Sequence, residues 1–252
     1  MDRLSHVDRQ TKKSSLKRKK TLVAYSFILP SLTGFLIFTF VPIIFSLILA
    51  FCEWDSGNPI KFIGFKNFSY MFLKDKSFWI SLKNTIYYTV VTVPLTMVVA
   101  LFLAILMNKP LKGRVFFRSV LFFPYVASLV AIAAVWLALF NPEIGPINSI
   151  LRTLGVENPP RWAASTTWAM PTIIGLTVWK SMGYYMIVYL AALQAISKDL
   201  YEAAALDGAN GWQQFLNVTW PGITPTTFYI LMMLMVTTFK SYDIMYITTQ
   251  GG

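Results

Sequence analysis

Lys180, Lys240 and Asp243 are ionisable side chains set inside runs that are otherwise apolar. A charge at membrane depth is costly enough to need a partner or a task, so each is a candidate for a solute pathway. Lys240 and Asp243 are three residues apart, a spacing that lets them pair on one helix face. Snorkelling to an interface is the competing reading for all three. Covalent chemistry has little to work with. The only histidine is His6, in a basic tail, and the only cysteine is Cys52. That removes histidine catalysis, HExxH zinc sites, an internal disulfide and cysteine-based metal clusters. No G-x-x-x-x-G-K-[ST] phosphate loop occurs, so the chain does not bind and split a nucleotide by that route. Nor does a nucleophile–base pair support an intramembrane enzyme. The expectation is no catalytic residue and no metal site.

The elements that must position these groups are membrane helices. Hydrophobic residues make up 56% of the 252, charged residues 13%, and mean hydropathy is +0.56. Uncharged stretches run Thr21–Cys52, Asn84–Asn108, Ser119–Pro142 and Trp162–Trp179, and resume beyond Lys180. A span needs about 20 mainly apolar residues. The fold class is therefore all-α, a polytopic transmembrane helical bundle. Five spans are predicted, over 22–50, 85–107, 119–140, 163–195 and 223–249. The fourth is read as one continuous helix, because two spans divided at Lys180 leave no residues for a turn.

The net charge of +11 is not a nucleic-acid footprint. Eight of the 22 Lys and Arg precede Leu22, and four more crowd Lys109–Arg118. That is the distribution of a positive-inside signal. With the basic tail 1–20 in the cytoplasm, thirteen Lys and Arg fall in cytoplasmic segments. Seven fall in external loops that also hold five acids. A multi-pass protein of the cell membrane follows, with an external loop at Glu53–Lys83 resting on the membrane surface and with Gly252 outside.

This topology puts SKDLYEAAALDGANGWQQFLNVTWP, residues 197–221, on the cytoplasmic side. The pattern predicts a short helix Lys198–Leu206, a turn at Asp207–Gly208, a second short helix Asn210–Val218, and a break at Pro221–Gly222. Asp199 and Glu202 suit the positive end of the first helix. Ala203, Ala204 and Ala205 leave a smooth face that another protein can approach closely. Gly208 permits a left-handed backbone at the turn. The competing reading is an ordinary loop that happens to be helical.

Glu202-Ala203-Ala204, Asp207-Gly208-Ala209, Phe215, Val218 and Pro221 resemble the EAA loop of ABC-importer permeases. The resemblance extends to the carbohydrate-type permeases of the maltose and glycerol-3-phosphate kind, through FILPSLTGFLIFTFVPI (27–43), FIGFKNF (62–68), NTIYYTVVTVPL (84–95), FFRSVLFFPY (116–125), LFNPEIGPIN (139–148), LQAISKDLYEAAALDGA (193–209) and YDIMYITTQGG (242–252). It implies a type I importer permease with no cofactor of its own, the ATP being used by a partner ATPase. It also implies a second permease subunit in a hetero-dimer, two ATP-binding subunits, and an extracellular or periplasmic solute-binding protein. Glu202, Ala203, Ala204, Asp207, Gly208, Ala209, Phe215 and Pro221 would dock on the ATPase. Glu202 would pair with a basic residue there, and Gly208 would hold the angle between the two short helices.

Lys180, Tyr184, Tyr185, Tyr242 and Asp243 form the expected solute pathway, since aromatic faces stack on sugar rings and carboxylates accept from hydroxyls. Membrane-interface aromatics are the competing reading. Two departures from the family are expected to matter. Ser197 stands where such permeases often carry Pro and would loosen the start of the first helix. The chain also stops at Gly252, so a sixth core span is expected to be missing and the chain to be a fragment. The alternative function is an ion-coupled secondary transporter with Lys180, Lys240 and Asp243 as relay, although no pseudo-symmetric halves are visible.

Overall fold

The computed structural model describes residues 20–55 and 57–249. The expected basic tail and the external Gly252 lie outside the described residues. Two compact units divide at Trp79/Ile80.

The first unit opens with helix α1 (Lys20–Leu49), long and apolar enough to cross a membrane. Its large side chains point outward, Phe27 and Phe38 being about 80% exposed, an arrangement that only lipid or another apolar partner makes favourable. Pro42 would clash with the preceding turn of a regular helix. A π-helical stretch, Leu36–Phe40, widens that turn and admits it. After α1 the chain makes a two-residue antiparallel ladder, β1 (Cys52–Glu53) with β2 (Lys61–Phe62). Asp55 accepts from the backbone N–H groups of Gly57 and Asn58 and from the Asn58 amide, donors that hold its carboxyl below the usual carboxylate range. Helix α2 (Lys66–Leu73) is pinned by Asn67, whose amide donates to the carbonyls of Ala50 and Cys52 at 3.0 and 2.9 Å.

Helix α3 (Lys76–Asn108) begins nine residues before the predicted second span. The Asp75 carboxylate, which accepts from the N–H groups of Ser77 and Phe78, sets that start. The predicted third span, 119–140, is not one helix. It is α4 (Arg114–Val126) and α5 (Leu129–Leu139), bent by 100° at Ala127–Ser128. A short helix α6 (Pro146–Thr153) leads to a 3-10 turn at Trp162–Ala164 and then to α7 (Ala169–Ala195), unbroken at Lys180. The 197–221 hairpin follows as α8 (Lys198–Leu206) and the start of α9 (Gly211–Phe239). The predicted fifth span, 223–249, stops at Phe239, and α10 (Tyr242–Thr249) is a separate helix.

Helix α7 is the centre of the second unit, packing along α4 and α9. The larger core joins Ala100 and Ala104 of α3 to Met186, Tyr189 and Leu190 of α7 and to Ile223, Ile230 and Leu234 of α9. Ala100 and Ala104 are fully buried and four apart, the small-residue spacing that lets helices approach in a membrane. A second core gathers Tyr88, Ile173, Leu176 and Ile244.

Asn148 is the most buried tie of the 141–162 loop, beside Arg152, which donates to the carbonyls of Pro142 and Glu143. Asn148, 1% exposed, donates its amide to the carbonyls of Pro142 and Pro160 at 3.0 Å each and accepts from Trp162 Nε1 at 2.6 Å. That last bond helps hold Trp162 at φ 46°, a left-handed conformation uncommon for a side chain of its size. Replacing Asn148 by Leu removes all three bonds and orphans the Pro160 carbonyl and Trp162 Nε1, at roughly 1–3 kcal/mol each, while the Pro142 carbonyl keeps its bond from Arg152. Limited proteolysis should therefore cut N148L within 141–162 at protease levels that spare the wild type.

Candidate functional site

Three places in the second unit carry the residues singled out from the sequence. At 197–221 the backbone is built as a rigid elbow. Ser197 Oγ accepts from the Asp199 N–H, so this residue caps α8 rather than loosening its start. The helix ends in a Schellman arrangement. Gly208 N–H donates to Ala205 O at 3.1 Å and Ala209 N–H to Ala204 O at 2.9 Å, with Gly208 at φ 77°. Asn210 and Gln213 then exchange a reciprocal pair of capping bonds that starts α9. Tyr201 OH lies 2.9 Å from Thr219 Oγ1 and ties the two arms together.

The predicted break at Pro221–Gly222 does not occur. Trp220 N–H reaches back to Phe215 O across a π-turn, Phe215–Thr219, and the widened turn admits Pro221 within a continuous α9. The elbow presents exposed Glu202 and Ala203, while Phe215 stacks on Trp212 at 5.5 Å. Ala204, Asp207, Gly208 and Ala209 line a recess of ≈ 340 Å³ with Gln213 and Asn217.

The second place is the bend between α4 and α5. Lys180 Nζ donates to the carbonyls of Pro124, Tyr125 and Ala127 at 3.2, 2.9 and 3.4 Å, and stands 5.5 Å from the Tyr125 ring centroid. Those are C-terminal carbonyls of α4, where a cation is favoured by the helix dipole and by the unpaired acceptors. One turn along α7, Tyr184 stacks on Tyr125 with centroids 4.4 Å apart. Both are residues expected on the solute pathway, and here they meet the end of α4. Tyr185, expected beside them, is only 4% exposed within the larger core and presents no ring face to a solute.

The third place is a cavity of ≈ 980 Å³ between the first half of α3, the start of α7 and the α9–α10 break. Asn84, Thr85, Tyr88, Lys240, Ser241 and Tyr242 lie on its wall. Tyr88 OH is 2.8 Å from Thr177 Oγ1 and accepts from Ser241 Oγ at 3.5 Å. Tyr242 stacks on Tyr246 at 5.5 Å and remains 69% exposed. Of the five pathway residues predicted, only Tyr242 lines the cavity. The pairing of Lys240 with Asp243 on one helix face is overturned as well. Lys240 caps the end of α9, whereas Asp243 lies in the first turn of α10, because the helix breaks between them. With Lys180 engaged at the bend, the three do not form a relay.

Sequence reasoning missed Ser241, Tyr88 and Asn84 as cavity residues. Ser241 before an Asp in the next turn was the available signal, since it reads as a helix start inside an apolar run. Pro124 followed by Ser128 was the equivalent signal for the bend.

The family model described as "Binding-protein-dependent transport system inner membrane component" matches residues 93–252. The chain is 38% identical to the probable ABC transporter permease protein YesP of Bacillus subtilis (strain 168), over 95% of this chain and 77% of the relative. It is 35% identical to the lactose transport system permease protein LacF of Rhizobium radiobacter, over 96% and 80%. It is also similar to a chain in the crystal structure of a bacterial alginate ABC transporter in complex with an alginate pentasaccharide-bound periplasmic protein. There the TM-score is 0.77 at 26% identity, over 92% of this chain and 80% of that one. These matches span the bundle, the elbow and the cavity alike, and the chain belongs to the binding-protein-dependent transport system inner membrane components: it is a permease subunit of an ABC importer, a multi-pass membrane protein and not an enzyme.

Proposed function

We propose that the chain forms part of the translocation pathway for a sugar or related polar solute and is driven through the 197–221 elbow by a cytoplasmic ATPase. The elbow's geometry carries the reading: an exposed Glu202 beside the small Ala203–Ala204 face, on two arms locked by a Schellman stop, a capping box and the Tyr201–Thr219 bond. A rigid lever transmits displacement, whereas a flexible loop would absorb it. Two ATP-binding subunits hold and split the ATP, and this chain binds none. A second permease chain completes the pathway, a solute-binding protein delivers the solute from outside, and the N-terminus lies in the cytoplasm. The sugar names of the relatives and the alginate-bound neighbour support the solute class.

In proteoliposomes containing the complete importer, Glu202→Ala should lower solute uptake about tenfold, within the range of ordinary inter-site couplings. Gly208→Pro should do at least as much, since proline does not reach φ 77°. In both variants membrane insertion should persist and ATP hydrolysis should no longer respond to solute. Uptake coupled as in the wild type in both variants would remove the elbow from this role.

A further inference from the structure

Helix α3 carries a defect that a settled core avoids. Its buried face holds Thr89, Thr92 and Thr96, which are 6%, 0% and 0% exposed. Each of the three hydroxyl oxygens is sealed from solvent and has no hydrogen-bond partner among the described residues. A buried hydroxyl without a partner is destabilising, and three on one helix face call for a physical reason. Threonine does not lack a remedy in this fold. Thr172 of α7, Thr238 of α9 and Thr248 of α10 are about as deeply buried, and each donates to the carbonyl four residues back, at 2.7, 2.9 and 2.6 Å. On α3 the equivalent bonds, to the carbonyls of Thr85, Tyr88 and Thr92, are not made.

Two further observations fall on the same turns. Pro94 stands inside α3 on its exposed face, midway between Thr92 and Thr96 in the chain and opposite them around the helix. Lacking an N–H, it cannot donate to the Val90 carbonyl, so the helix is weakest where the threonines sit. The two cores also meet here: Tyr88 belongs to the second, and Val93, Ala100 and Ala104 belong to the larger. Donation by a threonine to its own helix goes with bending of that helix, and proline is where a helix bends most readily. We propose that Pro94 is a hinge of the transport cycle, loaded by Thr89, Thr92 and Thr96. The present arrangement keeps their hydroxyls dry and unpaired, and bending of α3 at Pro94 lets them bond to their own helix. This rests on the permease reading above and names a moving part within it. The hydroxyls disfavour the present state relative to the bent one, and valine, which puts a methyl where the hydroxyl was, removes that bias.

The test uses the complete importer and the two threonines that flank Pro94. In detergent, Thr92→Val combined with Thr96→Val should melt above the wild type, whereas Thr172→Val, which loses a bond that is made, should not. In proteoliposomes with the solute-binding protein present, ATP hydrolysis by the double variant should fall about tenfold, because the state it favours is no longer opposed. The bend itself is read from spin labels on cysteines replacing Tyr87 and Phe102, exposed positions on either side of Pro94, in a cysteine-free background that includes Cys52→Ser. Their separation should differ between the ATP-free and the vanadate-trapped wild type. It should hold one value in the double variant and in Pro94→Ala, which restores the bond to Val90, and should change as in the wild type when both threonines are replaced by serine. A double variant that melts at or below the wild type overturns the inference, because the hydroxyls are then paired. So does a wild-type separation that is the same in both states, or a double variant that melts higher yet changes separation as the wild type does. A double variant that melts higher and holds one separation, while Glu202→Ala and Gly208→Pro stay coupled as in the wild type, removes the elbow reading and supports the hinge.

Discussion

Gly183→Val should yield little folded protein, with the fraction that survives detergent extraction melting well below the wild type. The reason is the closeness of α4 to α7. A Cβ built on Gly183 would fall on the carbonyl of Leu121, far inside van der Waals contact, and 2.9 Å from the Phe122 Cα. These are backbone atoms, so no rotamer change relieves the clash and the helices must separate. That separation would strip the packing of α4 against α7 and pull the Pro124–Ala127 carbonyls from Lys180, which lies three residues before Gly183. Overpacking against movable side chains costs about 1–3 kcal/mol; a clash with a neighbouring backbone should exceed that. Gly175, on the same helix, is the control, because nothing lies within 4 Å of the place its Cβ would take. Gly175→Val should melt close to the wild type. Equal behaviour of the two variants by fluorescence-detected size exclusion after heating would refute the close-contact account.

Lys180→Leu should destabilise the chain by roughly 3 kcal/mol, and Lys180→Arg by much less. Leucine keeps the apolar stem of the lysine but leaves three carbonyls at the end of α4 without their donor. In a membrane protein an unpaired backbone group has no bulk water to fall back on and costs several kcal/mol where it faces lipid. Arginine keeps the charge and presents several donors to the same carbonyls. The loss should appear as a lower melting temperature in detergent. A Leu variant as stable as the wild type would mean that Lys180 is a bystander at the bend.

Most of the α-helical architecture was legible because it is set by solvent. Long uncharged runs such as Asn84–Asn108 have one stable home. The elbow was legible for a related reason. Its helix starts, small-residue run and Gly208 are local signals, and local backbone chemistry suffices to build a Schellman stop and a capping box. Two features were misread where local rules met a tertiary remedy. Pro221 reads as a helix breaker, yet a π-turn five residues long absorbs it. The run 119–140 reads as one span, yet it bends by 100°. Polar groups exposed at that bend are satisfied from a distant helix, and no window along the sequence reports that.

The candidate solute residues show the same divide. Lys180 and Tyr184 have the right chemistry for a pathway, and their types alone do not distinguish a sugar contact from a structural tie. What the fold adds is the partner at the bend, 53 to 56 residues away along the chain for Lys180. Tyr185 is one residue further on and points into the core, as the roughly 100° step of a helix requires. Lys240 became a cavity residue because α9 ends beneath it, and Ser241 and Tyr88 joined it from segments 153 residues apart. By itself the sequence determined a membrane-spanning helical chain, its orientation signal and a built elbow, all consequences of composition and near-neighbour chemistry. The tertiary structure alone decided which polar groups face a cavity and which face a carbonyl, because helix-to-helix contact, not spacing along the chain, sets where a buried polar group finds its partner.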